Sequence, residues 1–153
     1  MKELLDLLAE NNLTLGSCES MTGGLFAAKV TSVSGASKVF KGSIVSYSPL
    51  VKEGVLGISP NLISKYGVVS KEVAEEMARK AKEILDVDVC VSITGNAGPT
   101  CEPGKEGVGV FYIGIAYLDG VVVYRKHIHG DRDTIRNCSV LAMQEEIKRL
   151  IQL

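Results

Sequence analysis

Apolar residues recur at helical spacing in four parts of this chain. In each part apolar side chains return every three or four positions, which is typical of a helix with one buried face. The spacing predicts helices over residues 3–10, 25–33 and 70–85 and a final helix that begins after Asp131. Serine followed by proline, at Ser48 and Ser59, predicts two further short helices, because serine caps a helix and proline suits its first position.

Short apolar runs mark strands between these helices. The predicted strands cover residues 13–15, 39–47, 87–93, 108–118 and 121–128, and the second is interrupted at Gly42. Asp119-Gly120 predicts a hairpin turn between the last two. Strands that alternate with helices and end in a hairpin predict an α/β layered fold with a mixed sheet.

Polar loops follow three of the predicted strands. They are the turn around Ser20, the segment from Tyr47 to Lys52 and the loop from Thr94 to Pro99. Small-molecule sites in folds of this class lie beyond the carboxyl ends of the strands. We therefore expect the three loops to meet at one edge of the sheet.

The segment from Ser17 to Gly24 is the centre of this expectation, because it turns from a strand into a helix. Ser20 lies at the tip, and Gly23 and Gly24 leave room for a ligand close to the backbone. Free N–H groups at the helix start suit an oxyanion or a phosphate, and the residues leave that choice open. The same pattern is typical of an ordinary helix cap whose glycines pack on the sheet.

A serine nucleophile needs a base, and the chain offers few candidates. His127 and His129 share one face of a late strand, which is typical of an exposed pair rather than of a metal site. Lys52 is the candidate base, because burial or a neighbouring cation lowers the pKa of a lysine, although its spacing alone favours an exposed helix lysine. Cys18 is a weaker candidate nucleophile than Ser20, because it lies nearer the buried strand.

Arg132 stands in the first turn of the final helix, where the helix dipole favours anions. A cation at this position calls for a partner. Asp133 or another surface acid is one candidate, and an anionic ligand such as phosphate, which arginine binds through two hydrogen bonds, fits equally well.

Composition and charge narrow the class of protein. The length predicts one domain, residues 1–153, and 46% of the residues are hydrophobic, which is enough for a packed core. A formal net charge of −1 argues against nucleic acid as a partner. Apolar runs are too short to span a membrane and acids interrupt the N-terminal one, so we expect a cytoplasmic protein without a signal peptide. The long hairpin strands offer an edge for pairing, which leaves a homo-oligomer as an open expectation.

Several motifs in one order make this chain resemble a known family. They are Glu19-Ser20-Met21-Thr22-Gly23-Gly24, Val45-Ser46-Tyr47-Ser48 with Lys52, Gly67-Val68-Val69-Ser70, Ile93-Thr94-Gly95-Asn96-Ala97-Gly98-Pro99 and Gly130-Asp131-Arg132. Over residues 13–145 the chain resembles the C-terminal domain of CinA, the competence/damage-inducible protein A. Stand-alone members of that family are nicotinamide-nucleotide amidohydrolases, which convert nicotinamide mononucleotide to nicotinate mononucleotide and ammonia in pyridine nucleotide recycling. Longer members carry a further N-terminal domain, and we expect this chain to be of the stand-alone kind.

The resemblance implies an α/β/α sandwich and an active site built around Ser20 and Lys52, with no metal and no cofactor. Ser20 is then the nucleophile, Lys52 the base and Tyr47 a residue that orients or relays. The implied contacts with a nucleotide substrate are Thr22, Gly23, Gly24, Thr94, Gly95 and Arg132, the last on the phosphate. Two alternatives stay open: a non-catalytic module that binds a nucleotide or a partner protein, and a hydrolase of another nucleotide amide.

Four positions depart from the family's usual residues. Met21 replaces cysteine, Asn96 replaces isoleucine, Gly107 replaces proline and Val110 replaces threonine. We expect Asn96 and Val110 to border the pocket, so these two departures bear on the identity of the substrate.

Overall fold

Helices and strands alternate along the chain in the order that the apolar pattern predicts. The computed structural model describes residues 1–101 and 106–153. In chain order the elements are α1 (Lys2–Glu10), β1 (Leu15–Glu19), α2 (Leu25–Thr31), a short 3₁₀ helix (Ala36–Lys38), β2 (Phe40–Val45), α3 (Pro49–Gly54), α4 (Pro60–Tyr66), α5 (Lys71–Leu85), β3 (Val89–Gly95), β4 (Val110–Tyr117), β5 (Gly120–His127) and α6 (Arg132–Ile151). The predicted α/β class is confirmed.

The five strands form one mixed sheet in the order β2-β1-β3-β4-β5. Strands β2, β1 and β3 are parallel, whereas β4 runs antiparallel to both of its neighbours. Strand β5 therefore points the same way as the three parallel strands. As a result, the carboxyl ends of β1, β2, β3 and β5 meet at one edge of the sheet, and α6 begins beside them.

Helices cover both faces of the sheet, which gives the predicted three-layer sandwich. On one face α1, α2 and α6 pack through residues such as Leu4, Phe26 and Ile135 against the sheet. On the other face α5 packs through Met77, with α4 beside it. No helix among the described residues is long and apolar enough to cross a membrane.

Strand β1 lies later in the chain than the apolar run predicts, at Leu15–Glu19 instead of 13–15. All five of its residues are buried, because the strand lies between β2 and β3 and helices cover both of its faces. Its side chains alternate between the two faces, with Leu15 in the core under α2 and α6 and Cys18 in the core under α5. The prediction from apolar runs misses most of this strand, because Ser17 and Glu19 within it are polar.

Two other strands also differ from their predicted bounds. Strand β2 runs without a break from Phe40 to Val45, so Gly42 does not end it. The predicted irregularity is present as a shift in register, because Leu15 pairs with Phe40 whereas Gly16 pairs with Gly42. Strand β3 ends at Gly95 rather than at residue 93, because Thr94 and Gly95 still pair with β4. The loop beyond β3 thus begins at Asn96.

Candidate active site

A cleft of about 300 Å³ opens at the edge of the sheet where the carboxyl ends meet. The three predicted loops line it, together with the 67–69 segment before α5 and the start of α6. Six of the predicted site residues face this cleft: Ser20, Tyr47, Lys52, Thr94, Gly95 and Arg132. The structure therefore brings together residues that are separated by up to about a hundred positions in the chain.

Ser20 follows β1 directly and stands at the start of a tight turn. Its backbone N–H donates to the carbonyl of Ile93 on the neighbouring strand at 3.1 Å. Its own carbonyl accepts a hydrogen bond from Gly23 N–H at 3.0 Å. These bonds fix the backbone of Ser20 at the floor of the cleft, and 9% of the residue is exposed.

Lys52 reaches the hydroxyl of Ser20 from helix α3. The Ser48 side chain caps this helix by accepting a hydrogen bond from Val51 N–H, as the serine-proline pair predicts. Lys52 is only 1% exposed. Its Nζ donates to Ser20 Oγ at 3.0 Å and to the carbonyl of Ser46 at 2.6 Å. The exposed alternative for this lysine is therefore wrong.

Burial makes Lys52 suitable as a base. It lowers the pKa of the ammonium group from 10.5 to about 8, because the charged form loses its hydration. At about pH 7 roughly a tenth of such lysines are neutral. Of the two expected causes, burial or a neighbouring cation, burial is the one that lowers the pKa of Lys52.

Cys18 lies on β1, two residues before Ser20, and its buried thiol is unsuited to attack a substrate. Burial raises its pKa to about 11, although a contact of 3.5 Å with Ser46 Oγ opposes that shift. The neutral thiol is a poor nucleophile at neutral pH. The preference for Ser20 over Cys18 therefore agrees with the geometry.

Glu19, next to Ser20, occupies the amides at the start of helix α2. Its fully buried carboxylate accepts hydrogen bonds from Phe26 N–H at 2.8 Å and Ala27 N–H at 3.1 Å. Ser43 Oγ donates to the same carboxylate at 3.0 Å. The first amides of α2 are therefore engaged inside the protein and do not face a ligand.

Thr22, Gly23 and Gly24 belong to the turn that begins at Ser20, but they lie outside the lining of the cleft. Thr22 is fully buried, and in the described part of the chain its hydroxyl has no hydrogen-bond partner. Gly23 and Gly24 have positive φ values of 58° and 104°, which glycine adopts without strain. Gly23 and Gly24 thus shape the turn. The geometry does not support the expectation that Thr22, Gly23 and Gly24 contact a substrate.

Thr94 and Gly95 form the wall of the cleft at the end of β3. Thr94 Oγ1 donates to the Val68 carbonyl at 2.7 Å, so this hydroxyl holds the neighbouring loop. A Cβ atom on Gly95 would lie 2.3 Å from Phe111 Cβ and 2.7 Å from Met21 Sδ. Only glycine fits at this position, because β4 and the Ser20 turn both approach its backbone.

Arg132 joins two walls of the cleft. Its Nη1 donates to the Gly98 carbonyl at 2.7 Å and its Nη2 donates to Tyr47 Oη at 3.3 Å. Its partners are therefore loop residues, not Asp133. Tyr47 is 61% exposed at the mouth of the cleft, and its hydroxyl contacts Arg132 rather than Ser20 or Lys52. This arrangement fits an orienting residue and does not support a proton relay through Tyr47.

The two departures expected near the pocket have different positions. Asn96 lines the cleft, and its side-chain amide donates to the Glu106 carbonyl at 3.1 Å. Val110 is only 2% exposed within β4 and lies outside the cleft lining, so its expected place at the pocket is wrong. Met21 is a core residue that also borders the cleft.

The two histidines lie away from the serine and the lysine. His127 Nε2 is 3.2 Å from the carbonyl of Val108, and its ring packs against the ring of His129. Within residues 1–101 and 106–153 no group of three or more acidic, histidine or cysteine side chains is arranged to hold a metal ion.

Three residues with a part in the site escape detection by sequence reasoning alone. Glu19 holds the start of α2 after the Ser20 turn, the Ser46 carbonyl holds Lys52, and Arg136 contacts the Ser20 turn from α6. Ser46 acts through its backbone carbonyl, which every residue type has, so the sequence does not indicate this contact. Arg136 has a signal, since it lies one helical turn after Arg132 and on the same side of the helix.

Fold and site together define an α/β/α domain whose cleft holds a serine hydrogen-bonded to a buried lysine of lowered pKa. Residues 1–151 match the CinA C-terminal domain, and the chain belongs to that family. A CinA-like protein of Thermosipho melanesiensis is 44% identical over 136 residues, which are 87% of this chain and 34% of that protein. The chain spans about a third of the length of the curated relatives it matches.

Solved structures of the same superfamily share the fold. The competence/damage inducible protein CihA of Agrobacterium tumefaciens superimposes with a TM-score of 0.92 at 26% identity, over 97% of this chain and 92% of that one. A CinA superfamily protein of Klebsiella pneumoniae gives a TM-score of 0.95 at 19% identity, over 97% and 93% of the two chains. At that lower identity the likeness concerns the fold.

Proposed function

We propose that this domain is an amidohydrolase that converts nicotinamide mononucleotide to nicotinate mononucleotide and ammonia. The observation that carries the proposal is the 3.0 Å hydrogen bond between Lys52 Nζ and Ser20 Oγ. Burial lowers the pKa of this lysine to about 8, so a neutral amine stands beside the serine in a usable fraction of molecules. Serine–lysine pairs are a known variant of nucleophilic catalysis.

Acyl transfer to the serine is the first half of the proposed reaction. Neutral Lys52 accepts the hydroxyl proton as Ser20 Oγ attacks the carboxamide carbon. The resulting ammonium then protonates the departing amine, so that ammonia leaves and an ester joins the nicotinoyl group to Ser20. The backbone N–H of Met21, the residue after the nucleophile, is our candidate donor to the oxyanion, because Met21 borders the cleft.

Hydrolysis of the ester is the second half. Lys52, neutral again after the loss of ammonia, accepts a proton from a water molecule that attacks the ester carbon. The ester bond breaks, the proton returns to Ser20 Oγ and the nucleotide leaves as a carboxylic acid. Each half uses the same lysine first as a base and then as an acid, so no second titrating group is needed.

Arg132 is the proposed contact for the phosphate of the nucleotide. It is exposed at the mouth of the cleft and is held there by Gly98 and Tyr47. A guanidinium forms two parallel hydrogen bonds with a phosphate, and the start of α6 favours the same anion. The proposed role of Tyr47 is to orient Arg132 and to flank the ligand with its exposed ring.

A nucleotide-binding module without catalysis is the second candidate. Asn96 favours it, because this departure from the family pattern lines the cleft and changes its polarity. The same residue also suits a hydrolase that acts on another nucleotide amide, since an amide side chain changes the hydrogen bonds available to the substrate.

Product analysis with the purified protein separates these candidates. Nicotinamide mononucleotide, a second nucleotide amide such as nicotinamide adenine dinucleotide, nicotinamide riboside and nicotinamide are each incubated with the wild type and with Ser20→Ala. Ammonia and the acid product are measured, and binding is followed by calorimetry. The proposal expects both products from the mononucleotide with the wild type alone. Binding of the mononucleotide without ammonia release supports the module, and release from a different nucleotide amide supports the other hydrolase.

A further inference from the structure

Arg136 contacts the backbone of the turn that carries Ser20, although it lies on α6 and more than a hundred residues away in sequence. Its Nε donates to the Met21 carbonyl at 3.2 Å, and its Nη2 donates to the Thr22 carbonyl at 2.8 Å. These are the carbonyls of the two residues that follow the proposed nucleophile. Helix α6 therefore forms hydrogen bonds with the Ser20 turn through the partly buried side chain of Arg136.

Two hydrogen bonds to successive carbonyls restrict the turn strongly. A trans peptide is planar, so a carbonyl held on one side directs the following N–H to the other. Fixing the Thr22 carbonyl thus directs Gly23 N–H away from α6, and that N–H donates to the Ser20 carbonyl at 3.0 Å. Gly23 has a φ of 58° and no side chain to stiffen the backbone, so the turn depends on such external contacts.

We propose that Arg136 is a positioning residue that clamps the Ser20 turn and keeps Ser20 Oγ within hydrogen-bond distance of Lys52 Nζ. Its catalytic consequence rests on the proposed function, whereas the clamp is a property of the folded chain. A guanidinium suits the task, because its rigid fork presents several donors at once. Displacement of a reacting atom by about 1 Å costs up to ~100-fold in rate, so loosening the turn lowers reactivity without removing a reacting group.

The test compares Arg136→Ala and Arg136→Gln with Asn137→Ala as the matched control. Asn137 is exposed on the same helix turn and donates to the Asp133 carbonyl, away from the Ser20 turn. Amide hydrogen exchange of the peptide that covers residues 20–24 measures the clamp. Exchange is expected to accelerate in Arg136→Ala, to a smaller extent in Arg136→Gln, which keeps one donor group, and to stay unchanged in Asn137→Ala.

Reactivity of Ser20 is the second readout. Sulfonylation by phenylmethanesulfonyl fluoride is followed by intact mass, and about tenfold slower labelling is expected in Arg136→Ala. The pH midpoint of labelling is expected to stay near that of the wild type, because Lys52 stays buried and burial is what lowers its pKa. With nicotinamide mononucleotide the same variant is expected to lose kcat while its KM changes little, unlike a variant of Arg132.

Unchanged exchange over residues 20–24 in Arg136→Ala would overturn the clamp. Faster exchange with a wild-type rate of Ser20 labelling would overturn its positioning role and leave a merely structural contact. Where Arg136→Ala fails to fold, Arg136→Gln decides by the same two readouts. A wild-type serine that reacts with neither the probe nor the nucleotide would refute the proposed function, and the exchange measurement would still decide the clamp.

Discussion

The buried charge of Lys52 makes a quantitative prediction about stability. The folded protein lowers the pKa of this lysine from 10.5 to about 8, whereas the unfolded chain keeps the ordinary value. At pH values below about 8 the lysine is charged in both states, and a shift of this size corresponds to about 3 kcal/mol of destabilisation of the folded state. Above about pH 10.5 the lysine is neutral in both states and that cost disappears.

Comparison with Lys52→Met isolates this effect, because methionine is of similar length and does not titrate. The free energy of unfolding of the wild type, relative to Lys52→Met, is expected to rise by about 2–3 kcal/mol between about pH 7 and pH 10. Urea unfolding of both proteins across this range measures the difference, and titrations common to both cancel. A difference that stays constant with pH would show that the pKa of Lys52 is not lowered.

Three further variants test other parts of the site. Ser20→Ala is expected to reduce ammonia release from nicotinamide mononucleotide at least ~100-fold while the protein keeps its fold by circular dichroism, and near-normal turnover would exclude a covalent serine. Arg132→Ala is expected to weaken binding of the mononucleotide by about 1.5–3 kcal/mol and that of nicotinamide riboside much less, as calorimetry can measure; equal losses would show that Arg132 does not bind the phosphate. Glu19→Gln is expected to destabilise the fold by about 1–3 kcal/mol in urea unfolding, because an NH₂ group, which cannot accept, replaces one of the two carboxylate oxygens that hold α2 and Ser43. Unchanged stability would show that these hydrogen bonds do not hold the start of α2.

The periodicity of apolar residues suffices to predict the order of elements and the edge at which the site forms. Helix α5 has a regular apolar stripe, and parallel strands place their carboxyl ends together, so the meeting of the Ser20, Tyr47 and Thr94 loops follows from local pattern and topology. The bounds of β1 do not follow, because Ser17 and Glu19 are polar residues that hydrogen bonds make tolerable inside the sheet.

The proposed chemistry of Ser20 and Lys52 depends on contacts that cannot be predicted from residue types. Lys52 lies on a six-residue helix, where its spacing predicts an exposed side chain. It is buried because Ser46 and Ser20, which lie outside that helix, accept its hydrogen bonds. In the same way Glu19 engages the amides of α2 from the strand before it. Long-range hydrogen bonds of this kind emerge only when the chain has folded, which is why the roles of Glu19 and Arg136 appear first in the structure.

The dependence of ammonia release on pH, measured with the wild type and Lys52→Arg, tests the serine–lysine pair most directly. Arginine keeps a positive charge but does not lose its proton at these pH values. Wild-type kcat/KM for nicotinamide mononucleotide is expected to rise about tenfold per pH unit up to about pH 8 and then level off, and Lys52→Arg is expected to be as inactive as Lys52→Ala. Substantial turnover by Lys52→Arg, or a wild-type profile that is flat between about pH 6 and pH 9, would contradict the assignment of Lys52 as the base.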